Sequence, residues 1–255
     1  MFEAGIPPAQ MLPHKDGERI AHYIDGDGDA EVLWCGGFSS DMTGEKASTI
    51  AQWGVERGRR IVRFDYFGHG QSSGKFAEGT IGRWKEDAAL VQEKLVRGRH
   101  IIVGSSMGGW ISMMLALERP ERVAGLLLLA PAPNFTERLL WDGFSDEEKR
   151  QCKEQGFLNL GDPEDEGEYL VTYRQIEEAR AHLLPEGALP IRCPIRIIHG
   201  MGDDVVPWRH SLEIVEQVES RNVAITLPKE SDHRLSSPDD LLLIQQGLEE
   251  LVRAA

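Results

Sequence analysis

The chain has 255 residues and carries 28 lysine and arginine residues against 42 aspartate and glutamate residues, a net charge of −14 at pH 7. So acidic a chain lacks the basic surface that binds nucleic acids or anionic membranes, which argues against either as a partner. Hydrophobic residues make up 41% of the sequence, so a sizeable core can form, and the length fits one large domain or one domain with an inserted subdomain.

The cysteines and the first residues bear on the cellular compartment. Cys35, Cys152 and Cys193 are odd in number and far apart, which is typical of a reducing compartment without a disulfide framework. The first ten residues lack the basic and apolar regions of a secretory signal, and no apolar run approaches the roughly 20 residues that span a bilayer. We therefore expect no membrane span and a cytoplasmic location, with the mitochondrial matrix as the alternative if a leader has been removed.

Short apolar runs alternate with longer amphipathic stretches along the chain. Residues 19–24 are a candidate antiparallel strand at the edge of a sheet. Six further runs, most of them rich in Val, Ile and Leu, predict strands buried on both faces of a parallel sheet. These runs are residues 32–35, 61–64, 101–103, 126–130, 195–198 and 223–227. The alternation predicts an α/β fold with a mainly parallel central sheet flanked by helices.

Three of the intervening stretches have clear helical patterns. Residues 84–95 repeat apolar side chains at steps of four and three, which places them on one helix face. Residues 110–117 are apolar nearly all round and predict a buried central helix that ends before Pro120. Ser237 and Pro238 predict an N-cap followed by proline at the first position of the last helix.

Residues 134–193 interrupt the alternation of strands and helices, because they contain several acidic helical patterns and no convincing strand. The segment holds 14 acidic and 7 basic residues, and so half of the net charge. Insertions at the carboxyl ends of strands often build binding sites, so we predict a helical cap here. The alternative is a helical layer packed away from any site. The predicted division is a core of residues 1–133 and 194–255 with an inserted cap.

Residues 104–108 have the sequence GSSMG, between a predicted strand and the buried helix. That context favours a G-x-S-x-G nucleophile elbow, in which a sharp turn strains Ser106 and exposes its hydroxyl. The flanking glycines remove β-carbons that would clash, and the helix N-terminus favours negative charge at the site. The motif alone is a weak signal, because a plain Gly-Ser turn has the same letters. Ser105 is the competing hydroxyl, but it lacks the paired glycine spacing.

A serine nucleophile needs a base, and the base needs a carboxylate to orient it. After such an elbow the acid precedes the histidine in the chain. Asp203 follows the strand at 195–198 in a glycine-rich loop, and Asp204 is its immediate rival. The alternative is that both are ordinary surface carboxylates.

His233 is the predicted base, because it follows the strand at 223–227 in a polar loop that can reach Ser106. His210 lies within a predicted helix at 209–218 and is the other histidine after the acid. His69 precedes Ser106, which is the wrong order, and we expect a structural role for it in its loop.

Two backbone N–H groups are candidates for stabilising the oxyanion of a tetrahedral intermediate. Met107 follows the nucleophile directly, and Phe38 lies in the glycine-containing loop after strand 32–35. The alternative is a glycine turn that merely leaves the strand. The histidines and cysteines show no metal-ligand spacing, and no phosphate-binding glycine loop is present, so we expect neither a metal nor a cofactor.

These motifs resemble the α/β-hydrolase family over residues 20–252. Residues 65–72 (DYFGHGQS) resemble the family's D-x-x-G-x-G-x-S turn. Residues 199–207 (HGMGDDVVP) resemble its H-G-x-x-D-x-x-V-P acid loop, which selects Asp203 over Asp204. Longer strings resemble the subfamily of mitochondrial palmitoyl-protein thioesterases, also known as mycophenolic acid acyl-glucuronide esterases. They lie at residues 38–44 with 46–47, 63–66, 104–110, 193–201, 203–208 and 231–234.

The resemblance implies an α/β-hydrolase fold with a helical cap, and Ser106, Asp203 and His233 as a catalytic triad. The implied activity is hydrolysis of acyl thioesters, including those of acylated proteins, and of activated esters such as acyl glucuronides. A small-ester carboxylesterase and an acylpeptide hydrolase are alternatives on the same triad, and a noncatalytic ligand-binding homologue is an alternative of another class. The acidic cap could also dock a basic protein, although a solvated acidic face has the same composition. No oligomeric state is predicted.

Overall fold

The computed structural model describes residues 8–29, 31–161 and 170–254. Ten strands and seven α-helices lie in these parts of the chain. The strands are β1 (Gln10–Pro13), β2 (Arg19–Asp25), β3 (Glu31–Cys35), β4 (Arg60–Phe64), β5 (His100–Ser105), β6 (Val123–Leu129), β7 (Phe157–Asn159), β8 (Leu170–Thr172), β9 (Ile195–Ile198) and β10 (Val223–Thr226). The helices are α1 (Glu45–Glu56), α2 (Ile81–Leu95), α3 (Met107–Glu118), α4 (Asp146–Gln155), α5 (Tyr173–Ala179), α6 (Arg209–Gln217) and α7 (Pro238–Ala254).

Eight of the described strands form one sheet in the order β1-β2-β4-β3-β5-β6-β9-β10. The six strands from β4 to β10 in this order are parallel, and each corresponds to a run predicted from the sequence, with small shifts at the ends. In the middle of the sheet, Val103 lies beside Trp34 on one side and Leu127 on the other. The predicted α/β fold with a mainly parallel sheet is therefore confirmed.

The predicted edge position of residues 19–24 is wrong. They form β2, which is antiparallel to β4 as expected, but β1 pairs with its other side and takes the edge. β1 has four residues, three of them exposed and the last a proline. A mostly exposed strand of four residues shows no apolar alternation, so its pairing with β2 could not be seen in the local pattern.

The core lies on both faces of the sheet, as two layers of helices require. On one face Ile102 and Leu126 pack in a cluster with Trp84 of α2 and Trp110 of α3. On the other face Val103 packs in a second cluster. Its helical members come from α1 and α7, and they are Ala47, Ile50, Trp53, Ile244, Leu248 and Leu251. Successive residues of one strand thus face opposite layers, which explains why the central strands read as continuous apolar runs.

The segment between β6 and β9 contains helices, as predicted, and also a short hairpin, which was not. It has a π-helix at Thr136–Trp141, then α4, and later α5. Strands β7 and β8, of three residues each, pair antiparallel, so the expectation of no strand here is wrong. Strands this short carry too few residues for a recognisable period. Residues 162–169 lie outside the described parts, and the division into core and cap stays a prediction.

Two helix starts follow the local signals closely. The hydroxyl of Ser237 accepts a hydrogen bond from the Asp240 N–H at 3.2 Å, and the Asp240 carboxylate accepts one from the Ser237 N–H at 3.1 Å. This reciprocal capping begins α7 at Pro238, as predicted. The central helix α3 begins at Met107, slightly earlier than the sequence suggested. Across the described residues, none of the helices has both the length and the apolar character that crossing a membrane requires.

Candidate active site

Ser106 is the single residue between the end of β5 and the start of α3. Its backbone has φ 53° and ψ −117°, a left-handed conformation that costs a non-glycine residue about 1–3 kcal/mol. Three hydrogen bonds of its own backbone hold the turn: its N–H donates to Leu129 O at 2.9 Å, and its carbonyl accepts from Ala132 N at 3.1 Å and Gly109 N at 2.9 Å. The strained turn predicted for the elbow is present.

Gly104 and Gly108 allow this turn to pack against its surroundings. A β-carbon at Gly104 would overlap the Ser112 hydroxyl, and one at Gly108 would overlap the carbonyl oxygens of Cys35 and Gly36. The first turn of α3 therefore lies directly against the loop that follows β3. That contact brings the backbone of two separate segments to Ser106.

The structure brings Ser106, His233 and Asp203 together. His233 Nε2 lies 3.1 Å from Ser106 Oγ, and His233 Nδ1 lies 2.7 Å from Asp203 Oδ2. The three residues follow β5, β10 and β9, so each sits at the carboxyl end of a parallel strand, where this kind of sheet collects functional side chains. The imidazole can accept a proton from the serine while the carboxylate holds its other nitrogen.

The carboxylate of Asp203 is fully buried and saturated with donors. Oδ1 accepts from the N–H groups of Val205 at 2.9 Å and Val206 at 2.7 Å. Oδ2 accepts from His233 and, at 3.0 Å, from His199 Nε2. Burial by itself would raise the pKa of this carboxyl, but the hydrogen bonds from His199, His233 and Val206 outweigh it and hold the pKa below its ordinary value. Asp203 is therefore ionised at neutral pH, as an orienting acid must be.

The competing acid, Asp204, and the competing hydroxyl, Ser105, differ in burial and position from Asp203 and Ser106. Asp204 is exposed, one residue beyond the acid that contacts His233. Ser105 is buried as the last residue of β5, and Ser106 is the hydroxyl within hydrogen-bond distance of the imidazole.

The two competing histidines, His210 and His69, lie in other surroundings. His210 is half-buried on α6, where burial and then the charge of Arg138 lower its pKa. His69 is buried among the rings of Tyr66, Phe76 and Trp84, and this burial lowers its pKa to about 4. The aromatic packing around His69 fits the structural role expected for it.

The two predicted oxyanion donors flank Ser106. Met107 is the first residue of α3, and the first N–H groups of a helix have no acceptor within it. Phe38 follows Gly37, where a β-carbon would be in ordinary van der Waals contact with Ser106 Cβ, at 3.5 Å. The ring of Phe38 packs edge-on against Phe76, with 4.7 Å between ring centroids, and this contact holds the loop in place.

A cavity of about 320 Å³ opens beside the serine and the imidazole. Phe38 and Trp34 contribute apolar surface, and the charged lining residues are two cations and two carboxylates: Lys46, Arg234, Asp41 and Glu45. Lys46 Nζ donates to the backbone carbonyl of Arg234, and burial lowers the pKa of its ammonium group, against the opposing effect of Asp232 and Asp240. Sequence reasoning assigned no role to these cations, although Arg234 directly follows the predicted base.

His199 is a second residue to which sequence reasoning gave no individual role. It stands at the end of β9, four residues before Asp203, and its side chain is wholly buried. The available signal was a histidine in a turn between a buried strand and the predicted acid. Among the described residues, no group of three or more histidine, cysteine, aspartate or glutamate side chains is arranged to hold a metal ion.

A mainly parallel sheet with a strained serine between strand and helix, and a histidine bridging that serine to a buried carboxylate, defines an α/β hydrolase. The mitochondrial palmitoyl-protein thioesterases ABHD10 of Pongo abelii and Homo sapiens are each 36% identical to this chain over 222 residues. The alignments cover 87% of this chain and 72% of each relative. The chain belongs to the α/β-hydrolase family, in the branch that contains ABHD10, and is a serine hydrolase.

Further comparisons agree with this placement. A family model, Hydrolase_4, described as serine aminopeptidase S33, matches residues 27–147. The solved structure of mouse ABHD10 has a TM-score of 0.89 and 30% identity, covering 96% of this chain and 98% of that one. A putative hydrolase from Agrobacterium vitis S4 also has a TM-score of 0.89, with 34% identity over 95% of this chain and 97% of its own. The ABHD10 relatives of Pongo abelii and Homo sapiens are named as mitochondrial, and the cytoplasmic location of this chain stays a prediction.

Proposed function

We propose that the protein hydrolyses carboxylic esters or acyl thioesters through a covalent acyl-enzyme on Ser106. The observation that carries this proposal is the position of the His233 ring, 3.1 Å from the serine oxygen and 2.7 Å from the Asp203 carboxylate. A noncatalytic homologue would need no such alignment, so the geometry favours an enzyme over a binding module.

In the first half of the reaction, Ser106 Oγ attacks the acyl carbonyl carbon while its proton passes to His233 Nε2. Asp203 stabilises the imidazolium and keeps the ring in place. The oxyanion of the tetrahedral intermediate accepts hydrogen bonds from the N–H groups of Phe38 and Met107, and the N-terminus of α3 favours its charge. Collapse of the intermediate breaks the bond to the leaving oxygen or sulfur, and that atom takes from His233 the proton that Ser106 gave up.

In the second half, a water molecule gives one proton to His233 Nε2 and attacks the acyl-serine carbonyl. A second tetrahedral intermediate forms at the same oxyanion donors. Its collapse returns the proton to Ser106 Oγ and releases the carboxylic acid. No residue beyond those already placed is needed to complete the cycle.

Long-chain acyl thioesters, including those on proteins, are the leading substrate class, because the relatives are named palmitoyl-protein thioesterases. Activated esters with an anionic leaving group, such as the sugar acid of an acyl glucuronide, are a second class. Two cations of the cavity, Lys46 and Arg234, suit such a group, and two carboxylates of the same cavity, Asp41 and Glu45, oppose it. Short neutral esters and acylated peptides are the remaining alternatives on the same triad.

The test is hydrolysis of acyl thioesters and matching oxoesters from short to long acyl chains, with Ser106→Ala as the control. Ser106-dependent cleavage that rises with the length of a thioester chain supports a thioesterase acting on fatty acyl groups. A preference for short oxoesters instead assigns a small-ester carboxylesterase. Turnover that Ser106→Ala leaves unchanged removes the assignment altogether.

A further inference from the structure

His199 and His233 share one oxygen of the buried acid. His199 Nε2 lies 3.0 Å from Asp203 Oδ2, the same atom that His233 Nδ1 reaches at 2.7 Å. On its other side, His199 Nδ1 lies 2.7 Å from the hydroxyl of Ser211, a fully buried residue of α6. A continuous chain of hydrogen bonds therefore runs from α6 through two histidines and one carboxylate to Ser106.

The surroundings of His199 settle which nitrogen carries its proton. Nε2 faces two groups that only accept, the Asp203 carboxylate and the carbonyl oxygen of Val206, each at 3.0 Å. The proton must therefore be on Nε2, and Nδ1 accepts from the Ser211 hydroxyl. The hydroxyl of Ser211 thus selects the tautomer of His199 that can donate to the acid.

Asp203 receives four N–H donors in all, two on each carboxylate oxygen. A carboxylate has about four lone-pair directions, so this one is saturated and cannot turn about its own axis without losing a bond. Three of the donors come from groups other than the catalytic histidine. His199 is the side chain among those three, and it competes with His233 for the charge on Oδ2.

We propose that His199 is a positioning residue of the hydrolase, which fixes the orientation of Asp203 and limits how strongly that carboxylate attracts His233, with Ser211 holding it in the donating tautomer. This inference rests on the proposed function, since it acts on the triad assigned there. His199 does not touch the substrate in this arrangement. Its effect reaches Ser106 through Asp203 and His233.

Three substitutions distinguish a positioning role of His199 from a role in which its side chain only fills space. His199→Leu removes both nitrogens, while His199→Gln keeps an NH₂ group with two hydrogens, one for Asp203 Oδ2 and one for the Val206 carbonyl. Ser211→Ala removes the hydroxyl that selects the tautomer. The titratable groups that face His199 are Asp203, His233 and, from α6, His210, so the readouts are compared between variants that leave all three in place.

We expect His199→Leu to lower kcat about 10-fold to 100-fold, the range for losing a hydrogen bond to a charged group, with KM unchanged. The acidic limb of the kcat/KM profile moves to higher pH, because Oδ2 then interacts with His233 alone. We expect the kcat of His199→Gln to stay within about threefold of the parent value, and the acidic limb of its kcat/KM profile to return to the parent pH. Equal kcat values and an unmoved limb in the Leu and Gln variants would mean that His199 only fills space.

A second measurement applies even if the leucine variant does not fold. The Nδ1 proton between His233 and Asp203 gives a low-field NMR resonance, and the side-chain hydrogen bond of Ser211 is made to His199 rather than to either of these residues. Ser211→Ala therefore shifts that resonance only if His199 transmits the change, and an unshifted resonance overturns the proposal. Ser106→Ala is run in parallel. If that variant keeps full activity, the proposed function fails, whereas its inactivity beside identical Leu and Gln variants refutes only the role of His199.

Discussion

Gly108 lies so close to Cys35 that a β-carbon on the glycine would overlap the carbonyl oxygen of the cysteine. The overlap is with main-chain atoms of the strand end, so no side-chain rotation can relieve it. The first turn of α3 and the loop after β3 are consequently held against each other, and these two segments carry Met107 and Phe38. The separation of the two proposed oxyanion donors therefore depends on the absence of one methyl group.

Gly108→Ala tests this dependence. The new β-carbon forces α3 away from the loop, so one oxyanion donor moves out of reach and kcat falls about 100-fold or more. The measurement is kcat and the melting temperature, both of which we expect to fall. Gly98→Ala is the matched control, because a β-carbon there meets nothing within 4 Å. Equal activity of the two variants contradicts the proposed oxyanion hole.

A fluorophosphonate probe reports on the nucleophile without knowledge of the substrate. We expect one phosphonyl group per chain, attached at Ser106 and located by peptide mass spectrometry, because His233 lies 3.1 Å from that hydroxyl and is proposed to activate it. Ser106→Ala should remove the label, whereas Ser105→Ala should keep it. Labelling at another serine, or none in the folded protein, would refute the proposed nucleophile.

Asp203 and Asp204 are adjacent in the chain but differ in burial and partners. Asp203→Asn should lower kcat about 10⁴-fold, because an amide can donate where His233 needs an acceptor and so stabilises the wrong tautomer. Asp204→Asn changes an exposed side chain and should leave kcat within about twofold. The measurement is kcat for both variants on one ester. A larger loss in the Asp204 variant would reassign the acid.

His69 should make stability depend on pH in the mildly acidic range. Burial lowers its pKa from the ordinary 6.5 to about 4, so the unfolded chain takes up a proton before the folded one does. The contribution of His69 to the free energy of unfolding is fully present above pH 6.5 and is lost as the pH falls towards 4. The loss amounts to at most about 1.4 kcal/mol per pH unit.

His69→Phe keeps a ring in the aromatic surroundings of Tyr66, Phe76 and Trp84 and removes the titration. The measurement is the free energy of unfolding by denaturant at several pH values across this window. We expect the difference between parent and variant to shrink or reverse as the pH falls, which isolates His69 from other titrating groups. A difference that does not change with pH would show that His69 keeps its ordinary pKa.

Local signals were enough for several features because their causes lie within a few residues. The start of α7 follows from Ser237 and Asp240, which cap one helix turn. The strain at Ser106 follows from a strand that meets a helix with one residue between them. The order of serine, acid and histidine, together with the strand that precedes each, indicated Ser106 and His233, and the resemblance of residues 199–207 to the family's acid loop selected Asp203 over Asp204.

Other features had no local cause. The exposed strand β1 exists because β2 offers an unpaired edge, and its four residues carry no pattern that shows this. The hairpin of β7 and β8 joins segments too short to have a period of their own. Lys46 reaches the site by donating to Arg234, a residue 188 positions away in the chain.

The sequence alone predicted the mainly parallel α/β sheet, the strained serine, and Asp203 and His233 as its candidate partners. Apolar periods and short motifs are local properties, and the order of the motifs is read directly from the chain. Only the tertiary structure decided that His199 and His233 meet on one carboxylate oxygen, that Ser211 of a separate helix selects the tautomer, and that two cations line the cavity. Those relationships depend on distances between strand ends and loops, which packing of the two helical layers sets and which no single stretch of the chain contains.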